Sequence, residues 1–209
     1  MFADMKASTT PPFETPAKTR DADLIFVLAG GEARKIYGLQ LFYEDRAPRI
    51  LLSVGRFEIR TLSRVVTGVP VNLLEMAGPI PPRKRHFFVL FENGNVRARL
   101  MPVGRFGTWA EIAALGGTLR DRPEIQSLIV VSSPRHLYRV SMCCRELLPA
   151  QVRFRMMGVP GEGSASKPFS LWQGGAPRMA ILTEMFKICA YRVLLWMHRA
   201  GSSRAREAS

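Results

Sequence analysis

Short apolar runs that stop on glycine or serine, separated by longer amphipathic stretches, constrain this chain more than any other feature. Leu24 to Ala29 (LIFVLA) runs into Gly30–Gly31, Ile50 to Ser53 into Val54–Gly55, and Ser127 to Val131 (SLIVV) into Ser132–Ser133. Such runs, bounded by turn residues, read as strands buried on both faces. Between the first two, Glu32 to Arg46 sets Ile36, Leu39 and Phe42–Tyr43 at helical spacing. Ala47–Pro48 closes that helix, because a residue before proline avoids helical angles. Strands alternating with helices of this length predict an α/β fold: a mostly parallel sheet with helices on both faces.

The alternation continues along the chain. Helices are expected over Phe57–Thr67, Thr108–Leu119 (where Gly116–Gly117 could force an early end), Arg135–Leu148 and Arg178–His198. Val69–Leu74 reads as a third strand and Gln151–Met157 as an edge strand. His86–Glu92 and Val96–Met101 flank Asn93–Gly94, a strong hairpin-turn dipeptide, so 86–101 reads as an inserted hairpin, either an antiparallel extension or a flap. Residues 1–20 read as a disordered arm, 21–200 as one domain and 201–209 as a flexible tail.

Apolar residues make up 47% of the chain, which excludes wholesale disorder. Its 30 basic against 17 acidic residues leave +13, carried by 24 Arg and only 6 Lys. Codon bias accounts for that skew as well as a selected surface does. If selected, arginine suits phosphate or carboxylate, which it grips through paired N–H donors. Nucleic acid, an anionic membrane surface and a phosphorylated small molecule are the partners such charge admits.

Cys143, Cys144 and Cys189 are too few and too badly spaced for a disulfide framework or a zinc site, and read as three buried thiols in a reducing compartment. No metal is expected. The first twenty residues hold no apolar run, and no long uncharged apolar stretch follows, so neither leader nor transmembrane segment is expected and the cytoplasm is the expected location.

In open α/β sheets ligands bind beyond the carboxyl ends of the strands, where four segments carry chemistry. In LAGGEAR, Gly30 and Gly31 can turn backbone N–H groups toward an anion, with Arg34 one turn on; this is neither the dinucleotide fingerprint nor a P-loop. In SVGR, Ser53, Gly55 and Arg56 could hold a phosphate or carboxylate, or Ser53 could simply cap the next helix. In VVSSPRHLYRV, Ser132 and Ser133 end a buried strand and Pro134 opens a helix. His136 and Arg139 then share one helical face, for proton transfer and charge binding respectively. In GTWAEIAAL, Thr108 and Glu111 have the spacing of a capping box, or Glu111 reaches the pocket as a carboxylate partner.

These segments, in this order, resemble the bacterial YdcF/SanA/ElyC-like family, a domain of unassigned biochemistry. The likeness runs through DADLIFVLAGG with Arg34, APRILLSVG, GTWAEIAAL and VVSSPRHLYRV, and through Glu184, Lys187 and Tyr191 of a late E-x-x-K-x-x-x-Y, covering roughly residues 21–195. It implies a Rossmann-like three-layer sandwich with its pocket at the strand carboxyl ends. Some members of that family carry an N-terminal membrane helix and are tied to envelope integrity and peptidoglycan precursor supply, and one cytosolic member has been linked to S-adenosylmethionine. Here the family's S-G-G is S-V-G, with Val54 in place of a glycine, the hairpin lengthens the middle of the chain, and the membrane helix has no counterpart.

The leading expectation is a protein binding an anionic, phosphate-containing small molecule or lipid-linked precursor, with hydrolase or group-transfer chemistry open. His136, Ser133 and Glu111 are the candidate catalytic residues. Gly30, Gly31, Arg34, Ser53, Gly55, Arg56, Thr108, Ser132 and Arg139 are the candidate ligand contacts. The alternative is a non-catalytic binding or regulatory module of envelope metabolism, with peripheral membrane contact through the last helix; packing on the sheet explains that helix's apolar surface more simply. Nucleic-acid binding rests on charge alone, and the scattered basic pairs disfavour it. Nicotinamide chemistry lacks its fingerprint, and Glu75 is the only plausible ribose-binding acid. No cofactor is assigned.

Overall fold

The computed structural model describes residues 20–65, 71–101, 107–161 and 183–197. Strands β1 (Leu24–Val27), β2 (Arg49–Gly55), β3 (His86–Glu92), β4 (Asn95–Leu100), β5 (Ser127–Ser132) and β6 (Arg153–Gly158) form one sheet in the order β4-β3-β2-β1-β5-β6. The pairs β2–β1, β1–β5 and β5–β6 are parallel, whereas β2–β3 and β3–β4 are antiparallel. The chain is therefore α/β with a mixed sheet, and the 86–101 hairpin extends it at one edge. Asn93 and Gly94 close that hairpin with φ of 50° and 74°, the left-handed angles that a tight two-residue turn requires.

Burial follows the pleat. Ile50, Leu52 and Val54 of β2 face one core cluster, with Leu39 and Leu41 of α1 (Glu32–Tyr43), Ile59 and Leu62 of α2 (Ile59–Val65), and Leu73 and Ala77 of α3 (Leu73–Ala77). Leu51 faces the other, with Ile112, Leu115 and Leu119 of α4 (Gly107–Arg120) and Val140, Cys143 and Cys144 of α5 (Leu137–Leu147). Successive strand residues point to opposite faces, so each continuous apolar run feeds both clusters.

Several expectations are corrected. The third strand at Val69–Leu74 is not formed where it can be seen: residues 66–70 lie outside the described residues, and Leu73 opens helix α3 instead. Asn72 dictates this, because its side chain accepts from the Glu75 N–H at 3.2 Å and caps the helix. Gly116–Gly117 does not stop α4, which continues to Arg120. Gly116 instead lets α5 approach, since a Cβ there would lie 2.4 Å from the Leu147 carbonyl oxygen. On α1, Ile36 and Tyr43 face solvent while Arg34 and Lys35 are buried. The first turn of that helix faces the strand ends, where polar groups replace the apolar stripe. Cys189 is exposed, unlike Cys143 and Cys144. Burial pushes the Cys143 thiol up to about 12 and that of Cys144 upward too, which keeps both protonated and unreactive.

The last helix is seen over residues 183–197. Residues 162–182 and both chain ends lie outside the described residues. Among the described residues no helix is long and apolar enough to cross a membrane.

Candidate functional site

The carboxyl ends of β1, β2 and β5 lie side by side, which brings three of the four sequence segments together. Ala29, just past β1, is held at both ends of its peptide unit. Glu111 Oε2 of α4 accepts its N–H at 2.9 Å, and Arg34 of α1 donates Nη1–H to its carbonyl. Arg34 also donates Nε–H to Ser133 Oγ at 2.9 Å, so one buried guanidinium ties the end of β1 to the end of β5. Gly30 makes this possible. Its φ of +144° is costly for other residues, and a Cβ there would sit 2.2 Å from Arg34 Nη1.

Glu111 is a buried carboxylate beside the end of β1. Thr108 is the second residue of α4, and its hydroxyl hydrogen-bonds the Tyr191 phenol. Burial lifts the Glu111 carboxyl to about 7, against the opposing pull of the Ala29 N–H, the Ser53 hydroxyl and Lys35. Ser53 is fully buried within β2 and caps no helix; its Oγ lies 2.7 Å from His86 Nε2. Burial, aided by nearby Lys35, drops the His86 imidazole to about 4, so it is neutral at pH 7. With the serine proton given to the Glu111 carboxylate, neutral His86 donates Nε2–H to Ser53.

The glycine N–H donors are engaged by the chain itself. Glu58 Oε1 accepts from Gly30 N at 2.9 Å and Oε2 from Gly55 N at 2.8 Å. Lys35 Nζ stands 3.2 Å from Glu58 Oε1 and donates to the Leu28 carbonyl at 2.8 Å. Burial lowers the Lys35 ammonium, and Glu58 and Glu111 work against that. A cavity of about 620 Å³ opens here, lined by Ala29, Gly30, Gly31, Lys35, Gly55, Phe57 and Glu58 among others. Arg56 is not part of it. Its guanidinium lies 4.3 Å above the Phe57 ring and faces a separate cavity of about 340 Å³ with Arg60 and Arg85.

At the end of β5, Pro134–His136 forms a single 3-10 turn before α5. His136 Nδ1 lies 3.2 Å from Glu184 Oε2, and Arg139 donates Nη1–H to Glu184 Oε1. Arg139 also sits 5.5 Å from the centre of the Tyr191 ring. Burial lowers the His136 imidazole, with Glu184 opposing, so His136 can accept a proton at neutral pH. Four buried polar side-chain atoms have no hydrogen-bond partner among the described residues; Arg46 Nε and His136 Nδ1 lie within 3.2 Å of a carboxylate, which leaves Arg139 Nε and Ser132 Oγ. Native proteins leave few such groups, and each one calls for an explanation.

Sequence reasoning missed Glu58, Lys35 and His86, and attached no role to Glu184. Glu58 carried a faint signal, an acid three residues after a strand-end glycine. Lys35 and His86 carried none, because nothing local marks a buried cation or an imidazole within an apolar run.

No family model, curated protein or solved structure matches this chain.

Proposed function

We propose that this chain is a YdcF/SanA/ElyC-like protein of Rossmann-like, three-layer build with 86–101 as an inserted hairpin. In this reading it is a cytoplasmic protein that binds a phosphate-containing small molecule or lipid-linked precursor at the strand carboxyl ends. The observation that carries the reading is two buried polar atoms without a partner among the described residues, Ser132 Oγ at the end of β5 and Arg139 Nε on α5. Arg139 Nε–H needs an acceptor, and Ser132 Oγ can donate to one. A phosphate group offers acceptor oxygens for both. Arg34 supplies further positive charge beside Ser133, and the likeness to the family rests on the same segment.

Two groups suit proton transfer, His136 beside Glu184 and Arg139, and Glu111 beside Ala29 at the end of β1. Neutral His136 would take a proton from an attacking water or hydroxyl, and Glu111, near half-protonation at pH 7, would give one to a leaving oxygen. That is hydrolase or group-transferase chemistry. A non-catalytic module is favoured by one observation: the Ser53 hydroxyl is sealed between His86 and Glu111, and Ser133 is engaged by Arg34, so two of the three serines are committed.

The test is a thermal-shift screen with inorganic phosphate, pyrophosphate, sugar phosphates, nucleotides and polyprenyl phosphates, since a ligand of the native state raises Tm by mass action. At least one phosphate compound should raise Tm in the parent chain and not in Arg139→Lys or Ser132→Ala, while Arg56→Ala retains the shift. A silent panel, or a shift that both variants keep, would refute the site. Turnover of the bound compound, or its recovery unchanged, decides between enzyme and module.

A further inference from the structure

The helix at residues 183–197 buries one face and leaves a second apolar face open. Tyr191 packs into the core beside α4 and α5, Leu195 is buried, and Glu184 reaches Arg139 and His136. On the outward side, Met185, Phe186, Val193, Trp196 and Met197 are between 58% and 76% exposed, and Cys189 is exposed with them. At about 100° per residue these six positions fall in one arc roughly 120° wide, turned away from the docked face. Arg192 bounds the arc, Lys187 is exposed beyond it, and the sequence that follows adds Arg199, Arg204 and Arg206 against a single acid, Glu207. Water is a poor partner for five large apolar side chains in one stripe.

We infer that this face docks on an anionic lipid bilayer, lying in the interface with Phe186, Val193 and Trp196 among the acyl-chain boundary and the flanking cations on the headgroups. Charge complementarity selects this occupant. The chain carries +13, and the cations beside the stripe would face one another across a two-fold contact between two copies but face phosphates on a membrane. A tryptophan and a phenylalanine on the apolar side with arginine at its border suit a headgroup–hydrocarbon boundary. Glu184, on the opposite face of the same helix, holds Arg139 and His136, so docking would set the strand-end site one helix diameter, ~10 Å, from the lipid surface. The inference stands without any particular ligand for that site.

The experiment is co-sedimentation of the full chain with phosphatidylcholine vesicles, with and without phosphatidylglycerol. A second readout is Trp196 emission in a Trp109→Phe, Trp172→Phe background. The chain should bind the anionic vesicles, weaken as salt screens the charges, and shift Trp196 emission to the blue on binding. Phe186→Asp with Trp196→Asp should cut partitioning by more than about tenfold, while Tyr43→Asp, an equally exposed aromatic on α1, leaves it unchanged. Absence of binding to anionic vesicles would overturn the inference, as would binding undiminished by the double substitution. So would Trp196 emission already blue without lipid and unmoved by it. A stable dimer by light scattering that the double substitution dissociates would give the face to a second copy instead.

Discussion

Arg139 and Glu184 are joined by a charged hydrogen bond that ties α5 to the helix at 183–197 across 45 positions of chain. Both side chains are nearly buried, and Tyr191 adds a ring beside the guanidinium. Losing one member of such a pair strands the other charge away from water. Glu184→Gln should therefore cost about 2 kcal/mol or more. In hydrogen exchange, amides at 183–197 should open faster than in the parent chain while those of β1 and β5 stay protected.

Ser132 separates binding from stability. Its hydroxyl is buried and has no partner among the described residues, so Ser132→Ala removes an uncompensated desolvation penalty and should raise unfolding free energy by about 1 kcal/mol in urea titrations. The same substitution should weaken the phosphate compound that stabilises the parent. A structural serine would lose stability on substitution, so the sign of the change is the readout.

The strand ends were legible in the sequence because glycine and serine after apolar runs have few other uses. Gly30 comes shortly after β1, Ser132 closes β5 with Ser133 next to it, and Glu111 reaches the Ala29 N–H from α4. What could not be read was who satisfies whom. Glu58 takes the Gly30 and Gly55 N–H groups that seemed reserved for a ligand, and Arg34 spends its donors on Ala29 and Ser133. Two of those pairings, Glu58 with Gly30 and Arg34 with Ser133, join residues 28 and 99 positions apart and depend on sheet order, which no local pattern encodes. Val69–Leu74 failed for the opposite reason: a local capping residue, Asn72, outweighed an apolar run.

Glu111 and His86 make opposing contributions to pH-dependent stability. Glu111, raised from 4.5 to about 7, holds its proton more tightly folded than unfolded, so its contribution is lost as pH rises through 7. His86, lowered from 6.5 to about 4, holds its proton less tightly when folded, so its contribution is lost as pH falls toward 4. Between about 4.5 and 6.5 the two slopes oppose each other. Relative to the parent chain, Glu111→Gln should therefore lose stability on acidification through that window, and His86→Gln should gain it. Each difference should be on the order of 3 kcal/mol across its full range. Urea unfolding at stepped pH reads both, and parallel curves for all three chains would contradict the assignment.

The approach of α4 to α5 rests on one absent methyl group. Gly116→Ala would put Cβ 2.4 Å from the Leu147 carbonyl oxygen, and the forced shift should cost about 1–3 kcal/mol despite alanine's better helix propensity. At Gly117 the nearest atom is Arg120 Nη2 at 3.9 Å, so Gly117→Ala should gain about 0.5–1 kcal/mol. Thermal melts of the two variants should move in opposite directions.

The Arg139 guanidinium reports most directly on whether this site binds phosphate. With a phosphate compound that raises Tm in hand, its Nε–H resonance can be followed by proton–nitrogen NMR during titration. The account predicts that this one signal moves downfield and becomes protected from exchange with water as the ligand saturates, and that it stays put in Ser132→Ala at the same ligand concentration. A signal unmoved at saturation in the parent chain would show that the ligand binds elsewhere and that Ser132 Oγ and Arg139 Nε are not its site.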